Sequence, residues 1–201
     1  MPQLATISFQ KSDLYIWNIT ESVSGLMHLW DEALPEIFYR YKQEIHRKQF
    51  LAKLLLLRKL HLLDSLSYLP NGKPVLSKGF ISISHAGPYV AIAVSDQELG
   101  LDIEAPNPKL QKIASRFIAP EEIHLLDDLA IKNFQKLWTA KESIYKLMNQ
   151  PGLRFRDQIL VHWDKKNQKR TRAKVSGETK INLYFHYLPD DFIICQAFLD
   201  K

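Results

Sequence analysis

The chain has 201 residues, 46% of them hydrophobic, which is enough for one large domain or two small ones with a real core. Lys and Arg outnumber Asp and Glu by 27 to 22, a balance of +5 that suits a polyanionic partner without choosing among nucleic acid, a phosphorylated cofactor and an acidic protein. A single cysteine, Cys195, excludes an internal disulfide, and no apolar run approaches the ~20 residues of a membrane span. Because Met1-Pro2-Gln3-Leu4-Ala5 also lacks a basic stretch leading into an apolar one, a soluble cytoplasmic protein is expected.

Thr6 to Phe9 and Leu14 to Ile19 are rich in β-formers and parted by Gln10-Lys11-Ser12-Asp13, so they predict an opening strand pair. From Pro35 to about Leu63 the spacing is helical: Phe50, Leu51, Leu54, Leu55 and Leu57 make a broad apolar face. The other face carries Arg40, Lys42, Arg47, Lys48, Lys53, Arg58 and Lys59, either as a solvated surface or as a place where Arg47 or Lys48 meets a ligand phosphate. Asn71-Gly72 signals a tight turn that delivers Lys73-Pro74 to an extended stretch. Phe80 to Ser84 alternates apolar with hydroxyl and ends at His85-Ala86-Gly87-Pro88, Tyr89 to Val94 reads as a second strand, and Leu99 to Glu104 as a third. Ser84 and His85 are poorly placed as a nucleophile and its base, because neighbours in a strand point to opposite faces.

The strand Leu99 to Glu104 holds Gly100-Leu101-Asp102-Ile103-Glu104, in which a period of two sets Asp102 and Glu104 on one face and Leu101 and Ile103 on the other. Pro106 and Pro108 break the chain, and helical segments are expected over Leu110 to Phe117 and Pro120 to Leu129, with Glu121-Glu122 near the positive end of the second. The next helix, from Phe134 past Lys146, lines up Trp138, Glu142 and Lys146 four apart on one stripe, with Phe134, Leu137, Ile144 and Met148 available for packing. Gly152 is expected to close that helix region, and beyond it the chain looks β-rich, with strands at Ile159 to Trp163, Ile181 to Tyr187 and Phe192 to Leu199. Between the first two, Lys165, Lys166, Lys169, Arg170, Arg172 and Lys174 form a basic loop that reads as a solvated hairpin tip or a contact for an anionic partner. Cys195 sits in an apolar run and reads as a small buried hydrophobe.

These patterns predict an α+β protein of two similar halves, 1–98 and 99–201, with the Leu99 to Pro108 region at the midpoint where a two-lobed protein forms its cleft. Asp102 and Glu104 side by side repel unless a cation, a shared proton or solvent compensates. With Glu142 they form a carboxylate set of the kind that holds magnesium beside substrate phosphates, and Lys146 stands one turn beyond. Such a set suits phosphoryl chemistry, in which a carboxylate or a metal-bound water takes a proton from an attacking hydroxyl.

Gly100-Leu101-Asp102-Ile103-Glu104, followed by Phe134…Leu137-Trp138-Thr139-Ala140-Lys141-Glu142-Ser143-Ile144-Tyr145-Lys146, resembles the two signature motifs of the 4′-phosphopantetheinyl transferase superfamily. Gly72-Lys73-Pro74 and Ile83-Ser84-His85-Ala86-Gly87 are similar to two further elements of that family in the same order, so the resemblance spans Gly72 to Gly152. The length matches the larger, monomeric, surfactin-synthetase-activating type, which has pseudo-two-fold architecture. The resemblance implies Mg2+-dependent transfer, with Mn2+ a possible substitute, of the phosphopantetheine arm of coenzyme A to a serine of an apo acyl or peptidyl carrier protein, releasing adenosine 3′,5′-bisphosphate. It implies Asp102, Glu104 and Glu142 as metal ligands, with Glu142 also the favoured proton acceptor, and Lys146 near the phosphates. It further implies that Ser84, His85, Lys73 and Pro74 contact coenzyme A, with Arg47 on the basic helix nearby. One departure is Asn149-Gln150-Pro151-Gly152-Leu153 where members have a Gly-x-Gly-Leu run, so Pro151 stiffens that turn.

Two other readings use the same residues. A metal-dependent nuclease needs an Asp-x-Glu strand, a further acid and a lysine, although its lysine belongs two residues from an acid on one strand and Lys146 lies four from Glu142 on a helix. A non-catalytic module for an acidic protein needs only the two basic stretches. The leading reading expects no nucleic acid and no membrane.

Overall fold

The structure is a computed structural model that describes residues 3–9, 12–126, 130–163, 171–176 and 179–200. It is α+β throughout and separates into two compact units, Met1–Asp96 and Gln97–Lys201. Gln10 and Lys11 of the first expected turn, Asp127 to Leu129, and Lys165, Lys166, Lys169 and Arg170 of the basic loop lie outside the described residues.

The N-terminal unit opens with the expected strand pair, β1 (Gln3–Phe9) and β2 (Ser12–Asn18). Three helices follow, α1 (Val23–Trp30), α2 (Ile37–Arg40) and α3 (Glu44–Lys59), so the single long helix expected from Pro35 is in fact a short turn and a separate helix. Tyr41 is extended and breaks the run, and α3 carries the apolar face alone. The sequence reading missed α1, which is capped by Ser22, whose hydroxyl accepts the Gly25 N–H at 3.1 Å. Arg58 of α3 ties down the other end of α1: it donates to the Trp30 carbonyl and the Asp31 carboxylate, each at 2.7 Å, and to the Leu29 carbonyl. Its guanidinium also lies 4.9 Å from the centre of the Trp30 ring. A cation read as solvated surface is thus a structural fastener.

A small hairpin, β3 (Leu66–Tyr68) with β4 (Pro74–Leu76), turns through Gly72 at a φ of 84°, which glycine adopts without strain. Then β5 (Phe80–Ala86) and β6 (Tyr89–Ser95) complete an antiparallel sheet of order β1-β2-β6-β5. Ile81, Val90, Ile92 and Trp17 pack with Leu51, Leu55 and other residues of α3 in one core.

The C-terminal unit is built on a five-stranded antiparallel sheet of order β7-β11-β10-β9-β8. Its strands are β7 (Leu99–Glu104), β8 (Ile159–Trp163), β9 (Thr171–Val175), β10 (Thr179–Tyr187) and β11 (Ile193–Leu199). The sequence reading assigned the β9 region to a basic loop. The strand is nevertheless written in the alternation of buried Thr171, Ala173 and Val175 with exposed Arg172 and Lys174, which the surrounding basic run obscured.

The segment expected as one helix over Leu110 to Phe117 forms two single turns, α4 (Lys109–Lys112) and α5 (Ala114–Phe117), and Pro120–Leu125 is 3-10 helix. The long helix, α6 (Ile131–Met148), closes at Asn149, whose left-handed φ of 49° lets its N–H reach the Tyr145 carbonyl. Gly152 therefore sits in the turn after the helix end, with Pro151 ahead of it, and a short helix α7 (Phe155–Gln158) leads into β8. The core of this unit lies between α6 and the sheet and includes Leu137, Ala140, Ile144, Ile159, Val161, Ile181, Leu183, Cys195 and Ala197.

Candidate active site

Strand β7 and helix α6 bring the two motifs together. In register, Asp102 stands opposite Cys195 and Glu104 opposite Ile193, so both acids share the α6 side of the sheet with the Cys195 thiol. Leu101 and Ile103 turn the other way and are buried. Along α6, Trp138 donates its indole N–H to Glu104 Oε1 at 2.9 Å, and Lys146 Nζ holds Asp102 Oδ1 at 2.7 Å. Glu142 lies between these two on the same stripe.

This close seating has a backbone cause. A Cβ built on Gly100 would stand 1.8 Å from the Ser143 carbonyl oxygen and 2.7 Å from the Leu147 nitrogen. Only glycine lets the helix backbone lie so near the strand. Gln135, fully buried, adds a clamp: its Nε2 donates to the Glu104 carbonyl at 2.8 Å and to the Asp191 carbonyl at 2.9 Å.

The three carboxylates share one electrostatic environment. Burial pushes the Glu104 carboxyl up to about 7, Asp102 and Glu142 push the same way, and the Trp138 bond and Lys146 oppose them. Burial and then Asp102 raise Glu142 to about 7 as well, again against Lys146. Among the described residues, no three acid, histidine or cysteine side chains are gathered into a ready-made metal site in this geometry. The donor chemistry still fits a hard divalent ion, because two carboxyls pushed up to about 7 by burial and then by the charge of Asp102 are relieved by added positive charge. Cys195 is fully buried and its thiol is pushed up to about 12, mainly by that burial, which suits the inert hydrophobe its context implied.

Two residues that support the motifs went unrecognised in the sequence. Lys141 has no exposed surface, and its ammonium donates to Glu122 Oε2 at 2.6 Å and to the Phe155 and Ile159 carbonyls, each at 2.8 Å. Glu122 in turn accepts the Ala119 N–H at 2.9 Å and the Val161 N–H at 2.8 Å. The pair fastens α6 to the Pro120–Leu125 turn and to β8. The signal was present: Lys141 falls on the apolar stripe of Leu137 and Ile144, where a charge needs a buried partner.

The candidates from the first half lie in the N-terminal unit. Arg47 is on α3 and donates its Nε to the Tyr41 carbonyl at 2.8 Å. Lys73 and Pro74 enter β4, where the Lys73 N–H meets Asn71 Oδ1 at 3.2 Å and its carbonyl accepts the Leu69 N–H at 2.9 Å. Ser84 is buried and His85 exposed, so they leave β5 on opposite faces. His85 falls on the same side as Ile81 and Ile83, at the end of the strand where Gln49 of α3 donates to the Gly87 carbonyl at 2.8 Å. Lys48 pairs with Glu44 at 3.1 Å within the helix.

The family model described as the 4′-phosphopantetheinyl transferase superfamily matches residues 98–197, the stretch that holds β7, α6 and the five-stranded sheet. Through that stretch the chain belongs to this superfamily. Over 127 residues it is 34% identical to slr0495 of Synechocystis sp., provisionally named a 4′-phosphopantetheinyl transferase, a match covering 53% of this chain and 52% of that one. It is 36% identical over 77 residues to the 4′-phosphopantetheinyl transferase of Bacillus subtilis, covering 36% and 34% of the two chains. With the 4′-phosphopantetheinyl transferase gsp of Aneurinibacillus migulanus the identity is 33% over 105 residues, covering 50% and 43%. The chain thus spans about half the length, or less, of these curated relatives.

Proposed function

We propose that this protein transfers the 4′-phosphopantetheine arm of coenzyme A to a serine hydroxyl of an apo acyl or peptidyl carrier protein. The observation that carries the reading is the pairing of the family's two motifs by side-chain bonds, Trp138 to Glu104 and Lys146 to Asp102. The superfamily match over the same stretch supports it. In the reaction the serine oxygen forms a bond to the phosphorus that carries the pantetheine arm, and the bond from that phosphorus to the bridging oxygen breaks, releasing adenosine 3′,5′-bisphosphate. Glu142, held near the middle of the physiological range, takes the serine proton. Lys146, positioned by its bond to Asp102, sets its ammonium beside the phosphates as negative charge moves to the leaving group.

Asp102, Glu104 and Glu142 would hold a divalent ion, Mg2+ or Mn2+, and such an ion when bound neutralises the pyrophosphate. Arg47, Lys73, Pro74, Ser84 and His85 are assigned to coenzyme A contacts, the N-terminal half (1–98) serving the cofactor and the C-terminal half (99–201) supplying the acids. The excess of basic residues suits an acidic carrier, and the protein is expected to act as a cytoplasmic monomer.

Intact-mass spectrometry of an apo acyl carrier protein incubated with this protein, coenzyme A and Mg2+ tests the reading. The expected result is a gain of one phosphopantetheine that disappears with chelator and falls at least about a hundredfold in rate for Glu142→Gln. No gain over a panel of apo carriers, with coenzyme A not binding, would overturn the proposal.

A further inference from the structure

Asp102 and Glu104 are not equally secure on β7. Asp102 sits inside the ladder, with the Leu101–Gln196 and Ile103–Ile194 pairs on either side of it. Glu104 is the last residue of an edge strand and pairs with Ile193, the first residue of β11. Beyond it run Ala105-Pro106-Asn107-Pro108, whose prolines have no N–H to carry the ladder on. A residue at such an end frays unless something outside the sheet holds it.

Gln135 of α6 provides that hold. Its side chain is fully buried, and both hydrogens of Nε2 are used, on the Glu104 carbonyl at 2.8 Å and the Asp191 carbonyl at 2.9 Å. This double use fixes the orientation of the amide, because the flipped form would set Oε1 against two carbonyl oxygens. Oε1 is left buried with no hydrogen-bond partner among the described residues, an unfavourable placement. Methionine has the same length and would avoid it, so what glutamine supplies here is the two-pronged donor. The Asp191 end is itself unusual: Asp190 and Asp191 both take a left-handed φ, 56° and 57°, in the turn closed by the Leu188 N–H on the Phe192 carbonyl at 2.9 Å. Three residues along α6, on the same face, Trp138 donates to Glu104 Oε1 at 2.9 Å. The helix thus grips both the main chain and the side chain of one acid.

We propose that Gln135 is a positioning residue of the active site: by pinning the Glu104 carbonyl to the β10–β11 turn, it aims the Glu104 carboxyl at the Trp138 indole and keeps it on the face shared with Asp102. Gln135 acts through Glu104 alone. That Glu104 is a metal ligand rests on the transferase reading, whereas the grip on Glu104 does not.

Nuclear magnetic resonance of the 15N-labelled full chain tests it through the Trp138 indole N–H, assigned by its loss in Trp138→Phe. In Gln135→Met this resonance is expected to move toward that of free indole, and its hydrogen exchange to speed up by about tenfold. Affinity for Mn2+, read from the paramagnetic resonance signal of the free ion, should fall by about tenfold or more. In the carrier assay kcat should fall with it, while KM for coenzyme A stays within about twofold. Gln135→Asn keeps the amide but is one methylene too short for both carbonyls. It should show the same losses in milder form, and it decides the matter if the Met variant does not fold. Arg58→Met, which frees α1 in the other unit and lowers Tm, should leave the indole and Mn2+ readouts unchanged, so lost stability alone does not mimic the effect. An unmoved indole resonance with unchanged Mn2+ affinity in folded Gln135→Met would overturn the proposal and leave Gln135 a structural clamp. Absence of transfer by the parent protein would overturn the transferase reading instead, and the indole readout would still decide this one.

Discussion

Glu104 and Glu142 keep their protons to about 7 in the fold, against the ordinary 4.5. Between those values the folded chain binds more protons than the unfolded one, so the stability these groups contribute is intact below about pH 4.5 and is lost as pH rises toward about 7. In the presence of chelator, Glu104→Gln and Glu142→Gln should each stabilise the protein by about 1–2 kcal/mol at pH 8, allowing for partial exposure, with the gain vanishing below about pH 5. Urea unfolding at the two pH values reads this directly, and equal gains at both would show that burial and the neighbouring charge do not raise these carboxyls. The alternation of Asp102 and Glu104 with Leu101 and Ile103 was legible because a strand has a period of two. The role of Gly100 was not, because the need for glycine comes from the α6 backbone at Ser143, far along the chain.

At the scale of elements, α6 carries three sets of attachments: to β7 through Trp138 and Lys146, to the β10–β11 turn through Gln135, and to the Pro120–Leu125 turn and β8 through Lys141. The Lys141–Glu122 pair is buried, so removing one partner leaves an uncompensated charge. Lys141→Met should therefore cost about 3–5 kcal/mol in urea unfolding, far more than loss of the partly exposed Lys48–Glu44 pair within α3, worth about 0.3–0.5 kcal/mol. A cost under about 1 kcal/mol would show that α6 is held by its apolar face alone. The helix itself was readable from the spacing of Phe134, Leu137, Ile144 and Met148, and its end was misread at Gly152 because Asn149 takes the left-handed cap. The breaks at Tyr41 and Ile113 escaped the periodicity because the apolar spacing runs on across both.

For the whole molecule, a cation that binds the folded chain and not the unfolded one stabilises the fold by mass action, by about 2.7 kcal/mol at a hundredfold excess over Kd, and so raises Tm. Mg2+ or Mn2+ is expected to raise the Tm of the parent protein and to do so far less for Glu104→Gln or Glu142→Gln, as differential scanning fluorimetry would read. An equal rise in all three would place the ion elsewhere. By itself the sequence determined the α+β class, the strand and helix that hold the motifs, and which acids share a face, because all of these follow from local periodicity and motif spacing. Tertiary structure alone decided that Lys146 holds Asp102, that Trp138 holds Glu104, that Lys141 and Glu122 are buried together, and that Arg58 fastens α1. Each of those contacts joins residues 19 or more positions apart, so it arises only when separate elements pack, and local spacing carries no record of it.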